Sequence, residues 1–65
     1  MTAKDQLKVL KAGLFIIRED QINLAIKRKT GNQPDWHILQ KGYKSKAALR
    51  RAMDDLLWSS KVIED

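Results

Sequence analysis

Leu14-Phe15-Ile16-Ile17-Arg18, Glu19-Asp20-Gln21 and Ile22-Asn23-Leu24-Ala25-Ile26-Lys27-Arg28-Lys29 follow one another without interruption, and this stretch decides the fold. Its first five residues are apolar and partly β-branched on both sides of any alternation, which predicts a strand in the interior of a sheet. The three polar residues after it suit a hairpin. The last eight place Ile22, Leu24 and Ile26 on one side and Asn23, Ala25 and Lys27 on the other, the alternation of a half-buried strand.

Working outward, Thr2 is a good N-cap and Asp5 three residues later approaches a capping box. Leu7, Leu10 and Leu14 recur at helical spacing, and Gly13 is a natural stop, so a helix precedes the first strand. On the other side, Thr30-Gly31-Asn32-Gln33-Pro34-Asp35 concentrates turn residues, and its proline argues against a continuous central strand. A third strand, Trp36-His37-Ile38-Leu39-Gln40-Lys41, runs up to Gly42. Ser45 then offers an N-cap for a helix from Lys46 to Ser60. Ala48, Leu49, Ala52, Met53, Leu56 and Leu57 form its apolar face, with Ala47, Arg50, Arg51, Asp54 and Trp58 opposite. Val62-Ile63 can extend that helix, dock as a cap or add a short edge strand, and its pattern does not choose. The predicted class is α+β in the order αβββα: a three-stranded antiparallel meander with both helices packed on one face. The other face is left open for function.

A chain of 65 residues forms a single domain, residues 1–65, since so short a chain buries only about 60% of its unfolded surface and cannot divide it between two cores. Its 43% hydrophobic content suffices to fold it. With no cysteine there is no disulfide or thiolate metal site to strengthen so small a core, which leaves oligomerisation as the common remedy. No run approaches the roughly 18 apolar residues of a membrane span, and the opening residues lack the apolar core of a secretory signal, so a soluble, cytoplasmic chain without membrane contact is expected.

Charge is distributed unevenly. Of the net +5, residues 1–26 carry +1 and residues 52–65 carry −3, whereas residues 27–51 set Lys27, Arg28, Lys29, Lys41, Lys44, Lys46, Arg50 and Arg51 against Asp35 alone, a net +7. Lys46, Arg50 and Arg51 open the last helix while Asp54 and Asp55 come later. That order opposes the helix dipole and adds side-chain charge to free backbone N–H groups, a setting in which phosphates bind.

Catalytic groups are sparse: His37 is the single histidine, and Ser45, Ser59 and Ser60 have no base at motif spacing. No zinc, calcium or Gly-rich phosphate motif is present. The chain therefore reads as a non-enzyme with no cofactor, metal or small-molecule substrate. The leading expectation is a nucleic-acid-binding domain whose eight cations in residues 27–51 contact the phosphates of DNA or RNA. Trp36 and Tyr43 either stack on bases or seal the sheet against a helix. The rival expectation is an interaction module, in which Trp58 with Ala47 and Arg51 forms a homodimer contact, or the basic face meets an acidic protein. Trp58 can equally fold against the first helix or the Val62-Ile63 tail.

The run Trp36-x-x-Leu39-x-Lys41-Gly42-Tyr43-Lys44-Ser45-Lys46-Ala47-Ala48 resembles the strand-to-helix junction of the arm-type DNA-binding domains at the N-terminus of tyrosine integrases. The resemblance covers about a fifth of the chain and implies a three-stranded sheet that enters the major groove. The αβββα order and Ser45-Lys46 at the helix start are also similar to double-stranded-RNA-binding domains. Those domains carry a second lysine where Ala47 stands, and they use the first helix as well, here bearing Lys4, Lys8 and Lys11.

Overall fold

A computed structural model describes the backbone of residues 1–65 and every side chain except those of Gln33 and Pro34. The elements are α1 (Ala3–Lys11), β1 (Phe15–Asp20), β2 (Ala25–Thr30), β3 (Gln33–Gln40), α2 (Lys46–Leu57) and β4 (Val62–Glu64). Thr2 caps α1, its Oγ1 accepting from the Asp5 backbone N–H at 3.2 Å. Gly13 follows the end of the helix at φ +80°, a conformation that β-carbons disfavour. Ser45 caps α2 in the same way, its Oγ accepting from the Ala48 N–H at 3.1 Å.

The sheet has four strands in the order β3-β2-β1-β4. β1, β2 and β3 form the antiparallel meander, and β4 adds to β1 in parallel through Phe15↔Val62, Ile16↔Ile63 and Ile17↔Glu64. Val62-Ile63 thus becomes an edge strand. α2 is the crossover that returns the chain to the far edge of the sheet, as a parallel pair requires. β1 is interior, as its double-sided apolar pattern implies.

That same pattern separates the helices. Ile17 packs with Ile26, Leu49 and Met53 beneath α2, and Leu24, Leu39, Tyr43, Ala52, Leu56, Leu57 and Val62 pack around them. Ile16 is also fully buried but faces the other way. Its cross-strand partner Lys29 donates to Gln6 of α1, which places α1 on the face opposite α2. The expectation of both helices on one face is corrected for a physical reason: a strand with buried isoleucines on both sides needs a cover on each.

Three strand boundaries also move. β1 continues through Glu19 and Asp20, so the hairpin turn is Gln21–Leu24 and β2 starts at Ala25. Ile22, expected on a buried strand face, is instead 94% exposed at the turn. β3 begins at Gln33 and takes in Pro34, which an edge strand tolerates because only one of its sides is paired. Leu7, expected on the apolar stripe of α1, is exposed, while Gln6, Val9 and Leu10 take the inward positions.

Candidate functional site

Three consecutive cations of β2 divide between the two faces, because side chains alternate along a strand. Lys27 and Lys29 share the α1 side with Ile16 and Arg18, while Arg28, paired with His37, lies on the α2 side. Across to β3, Lys27 pairs with Ile38 and Arg28 with His37. α1 lies over β1, meets β2 through Gln6 and comes near Gly31 through Leu10, so the part of this face around Lys27 and Ile38 is left open. Ile38 there is 59% exposed.

Trp36 lies half-buried on this half-face, on the edge strand β3. The Arg18 guanidinium carbon lies 5.0 Å from the centre of its ring and Lys29 Nζ lies 5.2 Å from it. Both distances are within the range of cation–π attraction, so one indole draws two like charges together. Lys29 Nζ also donates to Gln6 Oε1 at 3.0 Å, and Arg18 Nε stands 3.9 Å from Asp65 Oδ2. Lys27 Nζ pairs with Asp20 Oδ2 at 3.3 Å. The result is a cationic strip, Arg18, Lys27 and Lys29, beside the apolar pair Trp36 and Ile38 on β3.

The remaining cations gather at the other end of the β2–β3 pair. Lys41 and Lys44 lie exposed in the loop that follows β3, and Lys46 and Arg51 lie exposed on α2. Gly42 at φ +89° turns this loop. Tyr43 is half-buried against the α2 core, and its hydroxyl donates to Gln40 Oε1 at 2.6 Å. Arg50 stands apart from this group, bonding Glu64, Glu19 at 3.3 Å and Asp54 at 2.8 Å. The Glu64 hydrogen bond, followed by that to Glu19, raises its pKa further above the ordinary arginine range. Its charge is already matched. Ala47, Arg51 and Trp58 lie on the outer side of α2, Trp58 87% exposed.

No protein family, curated protein or solved structure matches this chain. Among the described residues no group of three or more His, Cys, Asp or Glu could hold a metal ion, and no helix is long and apolar enough to cross a membrane. The residue that sequence reasoning missed is Arg18. It lies in the near-neutral first segment, and only the β1–β2 register brings it to the same face as Lys27 and Lys29. The signal was local all the same: Arg18 shares the alternation of Ile16 on a strand predicted to be interior.

Proposed function

We propose that this chain is a non-enzymatic nucleic-acid-binding domain that lays a phosphate backbone along the bare half-face of its sheet. The observation that carries this reading is the Trp36 ring with Arg18 and Lys29 at 5.0 and 5.2 Å. Cations gathered on an indole are partly desolvated and held in place before a ligand arrives, which favours binding to an anionic polymer over a freely moving lysine coat. Lys27 continues the strip. Lys41, Lys44, Lys46 and Arg51 extend the positive field past the end of β3, whereas Arg28 lies on the other face and Arg50 meets three carboxylates, against one each for Arg18 and Lys27.

Affinity for DNA and RNA measured across a salt series tests the reading. Binding is expected to weaken steeply as salt rises, and Arg18→Ala/Lys29→Ala to remove about two counterions from the slope. No binding at low salt, where phosphate contacts are strongest, overturns it.

Trp58 supports a second reading, self-association through the outer face of α2 with Ala47 and Arg51. A tryptophan 87% exposed on a domain with so small a core is the motivating observation.

A further inference from the structure

We infer that the nucleic acid bound by the half-face is single-stranded, its bases lying over the β3 row and its phosphates over the β2 row; this rests on the nucleic-acid reading above. The register sets two rows side by side. On β3, Trp36 and Ile38 point to the bare face two residues apart; on β2, Lys29 and Lys27 point the same way, Lys27 directly opposite Ile38 and Lys29 against the Trp36 ring. Arg18 of β1 extends the cationic row inward, toward α1. The apolar row is therefore at the sheet edge and the cationic row lies between it and the helix.

A duplex presents phosphates outward and keeps its bases stacked inside, so it has a use for the lysines and none for Ile38, 59% exposed among them. A single strand has both an anionic and an apolar side, and such strands are bound where a positive track runs beside groups that contact base faces. The dimensions agree. Two strands at about 4.8 Å spacing make a ledge about 10 Å wide beside α1, and the two-residue repeat along β3 is about 6.7 Å. That repeat is about twice the 3.4 Å step of a stacked duplex strand, so adjacent positions meet bases that have come apart.

The experiment is fluorescence anisotropy at low salt with four labelled probes: an oligothymidylate, a mixed-sequence duplex of equal length, an abasic strand of equal length and polyglutamate. Wild type is compared with Ile38→Lys and Ile38→Tyr, exposed-site variants whose folding is checked by circular dichroism. The oligothymidylate is expected to bind about tenfold more tightly than the duplex or the abasic strand. Ile38→Lys, although it adds a positive charge, should weaken oligothymidylate binding about fivefold, and Ile38→Tyr should strengthen it. Duplex or abasic strand bound as tightly as the oligothymidylate, or tighter oligothymidylate binding by Ile38→Lys, overturns the single-strand inference while leaving the nucleic-acid reading in place. Polyglutamate bound as tightly as any nucleic acid, or no nucleic acid bound at all, overturns both.

Discussion

The carboxylate of Asp20 accepts from the Asn23 backbone N–H at 3.1 Å and from the Asn23 side-chain amide at 2.9 Å, and it faces Lys27 Nζ at 3.3 Å. These bonds, those from Asn23 first, lower its pKa to about 2. They also explain why the turn lies at Gln21–Leu24: an aspartate that ties down the residue three positions on forms its own turn and leaves Glu19 and Asp20 free to extend the strand. Because the folded-state pKa is depressed, this interaction stabilises the fold above the ordinary carboxylate pKa of about 3.9 and is lost as pH falls toward about 2. Asp20→Ala should therefore melt below wild type at neutral pH, and the gap in Tm should narrow between about pH 4 and pH 2; a gap that stays constant through that window would refute the assignment. The same turn ends on Leu24 at φ 48°, a left-handed conformation costing a non-glycine residue about 1–2 kcal/mol. Leu24 is held there by packing against the α2 core.

At the level of the element, α2 is stabilised from one side only. Its first turn holds no acid and its last turn no base, so the helix dipole contributes nothing favourable to it. What holds it is Ser45 at its start, the burial of Leu49 and Met53 against Ile17 and Ile26, and Arg50, which ties the helix to Glu19 of β1 and Glu64 of β4. Exposed ion pairs are worth about 0.2–1 kcal/mol each, whereas truncating a buried methionine costs about 2–5 kcal/mol. Met53→Ala should accordingly remove a large share of the roughly 3–10 kcal/mol available to a domain of this length, and Arg50→Met should cost much less, because its ion pairs are solvent-screened. Urea unfolding of the two variants orders them; an Arg50 variant less stable than the Met53 variant would mean that the ion-pair cluster, and not the core, anchors the helix.

For the whole molecule, the core is the limiting quantity. Among the described residues only Ile16, Ile17, Ala25, Ile26, Leu49 and Met53 are buried, and they are divided between two faces of one sheet. A core this thin gains from any partner that binds the folded state. Trp58 supplies the candidate contact between copies, and sedimentation checks it: wild type is expected to dimerise at high micromolar concentration and Trp58→Ala to remain monomeric, and a wild type that is monomeric throughout removes the self-association reading. Much of the architecture was legible from local periodicity and capping. Thr2, Gly13 and Ser45 bounded the helices, the paired isoleucines made β1 interior, the apolar face of α2 was readable at 100° per residue, and residues 27–51 carried the positive charge. These are properties of neighbouring residues, and neighbours in sequence are enough to set them. Only the tertiary structure decided that α1 and α2 cover opposite faces, that Val62-Ile63 pairs with β1, that Arg50 meets carboxylates of two strands and that Arg18 joins Lys29 on Trp36. Each of those depends on strand register and on which side of the sheet a crossing helix takes, and both are settled by contacts between residues far apart in the chain.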